Sequence, residues 1–198
     1  MGRVPPITCP ENPGTFRVLT VCTGNICRSP AVERLLRAGL GAGVEIGSAG
    51  VRAMTGEPIQ PPMAALLTAA GADPAGFTAR QLTAPMAREA ELVLALTRAH
   101  RGAVVELAPA ALRRSFTLRE FARLLAAVDP AALPPVEAGP AARLRAAVPL
   151  AAALRAPVTD PAADDVVDPY GGDDARYRLS FDQLLPAVRQ IVATATGS

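Results

Sequence analysis

The sequence predicts an α/β fold in which a parallel sheet has helices on both faces. Short apolar, β-branched runs bounded by turn residues alternate along the chain with helical patterns. In addition, 50% of the 198 residues are apolar, which is enough for a globular domain with a proper core. The candidate strands cover residues 16–21, 44–48, 91–96 and 104–107.

Local signals predict the helices between and after these strands. Pro30 falls in a first helical turn, and Gly71 is expected as a C-cap. Thr117 and Glu120 have the spacing of a capping box, which marks the start of an amphipathic helix. The predicted helices cover residues 30–40, 61–71, 117–128, 140–154 and 175–194.

The chain is expected to form one domain behind a short tail. Residues 1–15 contain several prolines and predict a flexible N-terminal tail, and residues 16–198 predict a single domain. Within that domain, a segment near residues 108–166 lacks an assignable pattern and is expected to be insertion-like.

Charge and composition argue against several classes of protein. The net charge of +2 is too small to indicate nucleic acid or a membrane surface as a partner. No apolar run reaches the roughly 18 residues of a membrane-spanning helix, and prolines interrupt the place of a signal peptide. Three cysteines are too few for a disulfide scaffold, so we expect a reducing compartment, the cytoplasm.

Residues 22–30, with the sequence CTGNICRSP, carry the chemistry. A loop at the carboxyl end of a parallel strand lies where α/β folds bind ligands, and the next helix directs its N–H groups there. Gly24 permits a tight backbone path, and Arg28 offers a planar fork for two phosphate oxygens. We expect a Cys22 thiol among these donors to act as a nucleophile, with Ser29 able to stabilise the thiolate.

The Cys-x5-Arg-Ser-Pro pattern after a buried strand resembles the low-molecular-weight protein tyrosine phosphatase family, which includes some arsenate reductases. The resemblance covers most of residues 16–100 and 165–195. It implies a three-layer α/β fold with a four-stranded parallel sheet flanked by helices. It also implies hydrolysis of phosphate monoesters, with protein phosphotyrosine as the expected substrate class. The supporting motifs are SAG at 48–50, ARQL at 79–82 and DPY at 168–170.

The same resemblance implies roles for individual residues. Cys22 forms a phosphocysteine intermediate, Arg28 binds the phosphoryl oxygens, and Asp168 protonates the leaving oxygen and then activates water. Asn25 and Ser48 brace the loop. The expected partner is a phosphorylated protein or a small aryl phosphate, with no cofactor and no metal. Further residues expected to bind the phosphate are Thr23, Gly24, Ile26, Cys27 and Ser29.

The general acid has two candidates in the sequence. An isolated Asp-Pro pair is more often only a turn. Asp168 is preferred because the resemblance implies an Asp-Pro-Tyr sequence before a closing helix, and Tyr170 and a predicted helix follow it, whereas Asp160 is the alternative. Tyr170 is expected as a wall of the substrate pocket, with a packed aromatic residue as the other interpretation. The Asp-Pro pairs begin at Asp73, Asp129, Asp160 and Asp168.

Three other residues with reactive side chains have less definite roles. Cys27 could form a reversible disulfide with Cys22 or simply fill space beneath the loop. Cys9, in the tail, is expected to have no function. His100, the single histidine, is expected at a solvated helix start and without a metal-binding role.

Two departures from the family pattern bear on the substrate. Phe77 and Thr78 stand where many members have a histidine that supports the loop asparagine, and Ala53 and Met54 stand where many have an aromatic wall. A wall without an aromatic ring weakens the expected preference for phosphotyrosine. Ile26, however, replaces the threonine of members acting on phosphoarginine, which favours aryl phosphates.

Two alternatives to a phosphatase stay open from the sequence. One is a phosphate-binding or regulatory relative without turnover. The other is an arsenate reductase, which would need an external thiol because no cysteine follows Cys27.

Overall fold

A four-stranded parallel sheet forms the centre of the molecule, of which the computed structural model describes residues 14–156 and 159–198. The strands are β1 (Phe16–Cys22), β2 (Val44–Gly50), β3 (Leu92–Ala95) and β4 (Ser115–Thr117). Their order across the sheet is β2-β1-β3-β4, and every neighbouring pair is parallel. The predicted α/β class is therefore confirmed.

Helices cover both faces of the sheet, and the five predicted ones are confirmed to within a few residues. Gly71 is one residue beyond the C-cap of its helix, Ala70, where its positive φ of 80° ends the helix without steric cost. In the described part of the chain the α-helices are α1 (Arg28–Leu40), α2 (Pro61–Ala69), α3 (Ala84–Glu89), α4 (Arg98–Leu107), α5 (Leu118–Leu125), α6 (Gly139–Ala153) and α7 (Asp174–Thr196).

The core lies on both sides of β1, because successive side chains of a strand point to opposite faces. Phe16 and Val18 belong to a large cluster with residues of α1, α5, α6 and α7. Leu19 and Val21 belong to a smaller cluster with residues of α3 and α4. A strand buried on both faces explains the continuous apolar run from which it was predicted.

The topology creates a ligand-binding position at the carboxyl end of β1. This strand pairs with β2 on one side and with β3 on the other, so the chain leaves it first toward one edge and later toward the opposite edge. Open α/β sheets bind ligands at such a switch point. The loop that follows Cys22 starts there.

The strand predicted at residues 104–107 is wrong, since these residues form the last turn of α4. Val104 is buried against the sheet, whereas Leu107 is 42% exposed, as on an amphipathic helix. A short apolar run cannot distinguish a strand from a helix by periodicity alone. The fourth strand is β4, whose three residues are too few to show a period.

The segment near residues 108–166 contributes to the core, and its insertion-like character stays a prediction. It contributes β4, α5 and α6, and the side chains of Phe116, Leu124 and Leu144 belong to the large cluster. Most of the expected tail, including Cys9, lies outside the described residues. The division into a tail and one domain stays a prediction. In residues 14–156 and 159–198, no helix has the length and apolar character needed to cross a membrane.

A buried carboxylate joins helices that pack on opposite faces of the sheet. Glu120 completes the predicted capping box with Thr117 at the start of α5, which confirms that motif. Its carboxylate also lies 3.1 Å from Nη1 of Arg101 in α4 and 2.9 Å from Nε of Arg155, just after α6. Glu120 is 8% exposed, so the two ion pairs are shielded from water.

Replacing Glu120 by Gln is expected to lower the free energy of unfolding by about 2 kcal/mol, because two partly buried arginines lose their counter-charge. Glu45→Gln is the matched control, since Glu45 pairs with Arg17 at an exposed position. An exposed pair contributes at most about 1 kcal/mol. Urea unfolding at pH 7 measures both losses, and equal losses would contradict the role assigned to Glu120.

Candidate active site

The loop of residues 23–27 connects the end of β1 to the start of α1. Cys22 is the last residue of β1 and is 2% exposed. Cys27 is the N-cap of α1 but makes no side-chain capping bond. The N–H groups of Arg28 and Ser29 in the first helical turn are therefore available to an anion, and the positive end of the helix dipole faces the loop.

The carbonyl groups of the loop are held by the segment that follows β2. The oxygens of Cys22, Thr23, Gly24 and Ile26 accept the N–H groups of Val51, Arg52, Met54 and Gln60 at 2.8–3.0 Å. Carbonyls engaged in this way leave the loop's N–H groups free to converge on the opposite side. Gly50 permits the close approach, because a Cβ there would overlap the carbonyl oxygen of Thr23.

Two groups contact the sulfur of Cys22. The backbone N–H of Asn25 donates to Sγ over 3.3 Å, and the hydroxyl oxygen of Ser29 lies 3.0 Å from Sγ. Asn25 has a φ of 57°, the one positive φ at a non-glycine residue within the described ranges. Such a turn directs amides toward a common centre, and it carries strain that the surroundings must offset.

The side chain of Asn25 supports this turn. Its Oδ1 accepts the backbone N–H of Arg80 at 2.8 Å, and its Nδ2 donates to the hydroxyl oxygens of Ser29 at 2.9 Å and Ser48 at 2.8 Å. Ser48 in turn donates to Oε2 of the buried Glu33 at 2.6 Å. Because Ser29 accepts from Asn25, its own hydrogen is free to point at the sulfur.

Arg28 is 3% exposed and has one donor without a partner. Its Nη1 donates to the carbonyl oxygen of Val166 at 3.1 Å, and its Nη2 lies 2.5 Å from Oδ2 of Asp168. Its Nε is buried and has no hydrogen-bond partner among the described residues. An unpaired buried donor is costly, and an oxyanion beside Cys22 would give it an acceptor.

The two candidates for the general acid lie in different surroundings. Asp168 lines the same cavity as Cys22 and Arg28. Asp160 is exposed, does not line that cavity, and accepts the N–H of Ala162 at the start of the 3-10 turn Pro161–Asp164. The structure thus brings Asp168, and not Asp160, to the loop.

The cavity has a volume of about 140 Å³. Met54, at 39% exposure, and Tyr170, at 55%, form part of its open rim, so Tyr170 is a wall of the entrance and not a packed core residue. The buried supports Asn25, Ser29 and Ser48 are absent from the lining. The cavity is lined by Cys22, Thr23, Gly24, Ile26, Cys27, Arg28, Arg52, Met54, Asp168 and Tyr170.

Cys27 lies beneath the loop next to α7. Its Sγ is 3.7 Å from the hydroxyl of Tyr177, and burial raises the pKa of the Cys27 thiol to about 12. A thiol that stays protonated reacts slowly with oxidants. Both Cys22 and Cys27 are free in this structure, and the burial of Cys27 favours the packing interpretation for this conformation.

His100 was expected at a solvated helix start, and this is wrong. The residue lies in the first turn of α4, but it is only 6% exposed. Its Nε2 is 2.8 Å from Oγ1 of Thr23, and its Nδ1 is 2.9 Å from Oγ1 of Thr97. Burial, followed by the nearby Arg28 charge, lowers the pKa of His100 to about 4. The sequence did contain one signal for this position. His100 follows a predicted strand, β3, which pairs with β1, so the start of its helix lies at the same edge of the sheet as the loop.

Comparisons with known proteins extend the resemblance. A family model described as low molecular weight phosphotyrosine protein phosphatase matches residues 17–134. The low molecular weight protein-tyrosine-phosphatase Etp of Escherichia coli (strain K12) is 45% identical over 92 residues, which are 46% of this chain and 62% of Etp. The protein-arginine-phosphatase of Geobacillus stearothermophilus is 36% identical over 169 residues, 85% of this chain and 88% of that protein. The chain therefore aligns with less than two thirds of Etp but with most of the arginine phosphatase.

Solved structures share the fold. The tyrosine phosphatase AmsI of Erwinia amylovora superimposes with a TM-score of 0.66 at 24% identity, covering 90% of this chain and 91% of AmsI. The YwlE arginine phosphatase of Geobacillus stearothermophilus gives a TM-score of 0.65 at 29% identity, covering 89% and 90% of the two chains. Residues 17–134, which the family model matches, include the loop and, apart from Phe16, all four strands of the sheet. The chain belongs to the low molecular weight phosphotyrosine protein phosphatase family.

Proposed function

We propose that this protein is a phosphatase that hydrolyses phosphate monoesters with Cys22 as its nucleophile. The observation that carries the proposal is one cavity lined by the thiol of Cys22, the guanidinium of Arg28 and the carboxylate of Asp168. Loop N–H groups and the start of α1 supply further donors for a phosphate. Family membership supports the same chemistry.

The proposed reaction has two steps. In the first, Sγ of Cys22 attacks phosphorus, an S–P bond forms, and the bond from phosphorus to the leaving oxygen breaks while protonated Asp168 gives that oxygen a proton. In the second, the Asp168 carboxylate takes a proton from water, whose oxygen attacks phosphorus and breaks the S–P bond. Inorganic phosphate and the Cys22 thiolate result, so the cycle needs no redox partner.

Arg28 is proposed to bind two phosphoryl oxygens. Its Nε has no hydrogen-bond partner in the part of the chain that the structure describes, and its Nη2 contacts Asp168. A bound phosphoryl group would compete with Asp168 for Nη2. Because the Asp168 side chain is 47% exposed, it has room to turn toward the leaving oxygen when that contact is lost.

Phosphotyrosine in a protein, or a small aryl phosphate, is the proposed substrate class. Ile26, Met54 and Tyr170 give the cavity an apolar entrance on which an aryl ring can pack. Phosphoarginine is the second candidate, because the arginine phosphatase of Geobacillus stearothermophilus aligns with far more of this chain than Etp does. The apolar Ile26 favours the first class.

The two remaining alternatives have less support. A phosphate-binding relative without turnover would not need a carboxylate beside the thiol, yet Asp168 lines the cavity with Cys22. An arsenate reductase would need a thiol that can form a disulfide with Cys22. The nearest one in sequence, Cys27, is buried and has a raised pKa, so an external thiol would have to serve.

The cytoplasm is the proposed location, because a catalytic thiol must stay reduced. Cys22 and Cys27 are both free. The small net charge of +2 gives no reason to propose nucleic acid or a membrane as a partner.

Replacing Cys22 by Ser is expected to lower kcat for 4-nitrophenyl phosphate, assayed in mildly acidic buffer, by at least about a thousandfold, because a serine hydroxyl is a far weaker nucleophile there. Binding of inorganic phosphate, measured by calorimetry, should stay within about threefold of the wild type. Cys9→Ser, which also removes one thiol, is the control and should keep full activity. Hydrolysis that survives in the Cys22→Ser protein would eliminate the mechanism.

Replacing Asp168 by Asn is expected to lower kcat/KM for phenyl phosphate by about a hundredfold, because kcat/KM reports the first step, in which the poor leaving group needs a proton. The loss should be much smaller for 4-nitrophenyl phosphate, whose leaving group is good. Asp160→Asn is the matched control and should leave both rates unchanged, since its carboxylate only caps a turn. The reverse pattern between the two variants would transfer the role of general acid to Asp160.

The substrate class is tested with a phosphotyrosine peptide and a phosphoarginine peptide of the same sequence. The wild type should have the higher kcat/KM on phosphotyrosine, and Ile26→Thr should reduce that preference by about tenfold, because a hydroxyl replaces an apolar surface in the cavity. Met63→Leu, a buried substitution of similar volume outside the cavity, is the control. A wild type that prefers phosphoarginine would overturn the proposed substrate class.

A further inference from the structure

His100 and Thr23 form a further contact between the loop of residues 23–27, here called the phosphate loop, and the rest of the protein. Thr23 is the first loop residue and lines the cavity, whereas His100 comes from the first turn of α4, the helix that follows β3. Hydroxyl groups lie at both ring nitrogens, Thr23 Oγ1 at 2.8 Å from Nε2 and Thr97 Oγ1 at 2.9 Å from Nδ1. Thr23, at one end of this series of hydrogen bonds, lines the cavity, and Thr97, at the other end, is the N-cap of α4.

The hydrogen bonds around Thr97 favour one tautomer of the ring. Oγ1 of Thr97 already accepts the backbone N–H of His100 at 3.2 Å. Among the described residues, Nδ1 of His100 is the acceptor available to the hydroxyl hydrogen of Thr97. A ring that accepts at Nδ1 carries its hydrogen on Nε2 and donates it to Thr23.

A ring that donates to Thr23 leaves the hydroxyl hydrogen of Thr23 unused. Thr23 lines the cavity with Cys22 and Arg28, so that hydrogen can be given to an oxygen bound there. The opposite tautomer would use the Thr23 hydrogen on the ring and would offer the cavity an acceptor, which repels a phosphate oxygen.

We propose that His100 is a positioning residue that acts through Thr23, holding the first residue of the phosphate loop and orienting its hydroxyl as a hydrogen-bond donor to an oxygen of the bound phosphate monoester. The inference deepens the proposed function and rests on it. It assigns to α4 a support on the β3 side of the loop, distinct from the support that Asn25 receives from Ser48 on the β2 side.

The charge state of the ring agrees with this arrangement. An imidazolium would donate at both nitrogens, and Thr97 would then lose its acceptor. Burial and the nearby Arg28 charge favour the neutral ring, and together they outweigh the opposite influence of Asp168 and Asp165, so the pKa of His100 falls to about 4. The ring is therefore neutral across the range in which such an enzyme would be assayed.

Two measurements test the proposal, and the first is spectroscopic. His100 is the one histidine of the sequence, so untagged protein labelled with ¹⁵N-histidine gives the signals of a single ring. At pH 6 the Nε2 signal should be of the protonated, pyrrole type and the Nδ1 signal of the unprotonated, pyridine type. An imidazolium, the other tautomer, or a rapidly exchanging mixture would overturn the proposal.

The second measurement is the affinity for inorganic phosphate, determined by calorimetry, which requires no turnover. Inorganic phosphate has four oxygens, so when bound it fills the position of the leaving oxygen of a monoester as well as the positions of the three phosphoryl oxygens. Thr23→Val and His100→Ala should each weaken binding by about tenfold, and the double variant should be no weaker than either, because both remove the same interaction. Thr23→Ser and His100→Gln, which keep a donor at the same place, should bind within about threefold of the wild type.

Val104→Ala is the matched control, since it removes a buried contact one turn further along α4. It should lower the unfolding midpoint without changing phosphate affinity. Unchanged affinity in Thr23→Val and His100→Ala, or additive losses in the double variant, would refute the role of His100. If aryl phosphate hydrolysis persists in these proteins, the proposed function stands even though this inference fails. Absence of hydrolysis in wild type that binds phosphate would instead refute the proposed function alone.

Discussion

The tight turn that brings the Asn25 N–H and the Ser29 hydroxyl to the Cys22 sulfur is the constraint on which the rest of the site depends. Like dipoles aimed at one point repel each other, and the left-handed turn at Asn25 adds strain. The fold offsets this cost by bonding the loop's carbonyl oxygens to the segment that follows β2 and by holding the Asn25 amide on three sides. A bound oxyanion would complete the arrangement, because its charge would attract the same N–H groups.

The charged groups in the cavity and in the hydrogen-bond network under the loop form ion pairs. Glu33 is buried but accepts the Ser48 hydroxyl and an ion pair from Arg37 at 2.9 Å, so the hydrogen-bond chain under the loop ends on a satisfied carboxylate. Arg28 is buried as well, and its contact with Asp168 links the proposed phosphate-binding group to the proposed acid. The same low-dielectric surroundings keep the thiol of Cys27 protonated. The two cysteines are five residues apart, yet the sulfur of Cys22 contacts Asn25 and Ser29 in the loop region, whereas the sulfur of Cys27 contacts Tyr177 of α7.

Much of the fold follows from local sequence signals, because the strands and helices around the loop are long enough to show their periods. The apolar run of β1 and the capping box at Thr117 are read directly from residue order. The fourth strand could not be found in this way. Its three residues are buried by their neighbours, whereas residues 104–107 satisfy the pattern of a strand and yet belong to α4. Tertiary contacts decide such short segments.

For the site, the sequence by itself determined which groups lie within the loop: the thiol of Cys22, the guanidinium of Arg28 and a backbone able to bind an anion between a strand and a helix. These residues are close in the chain, so their proximity needs no long-range information. For the general acid, the family pattern in the sequence already favoured Asp168 over Asp160, and the tertiary structure brings Asp168 into the cavity with Cys22. Tertiary structure alone decided that His100 is buried against Thr23. Pairings across 77 residues or more depend on how helices pack on the sheet, and residue order does not encode this in any local pattern.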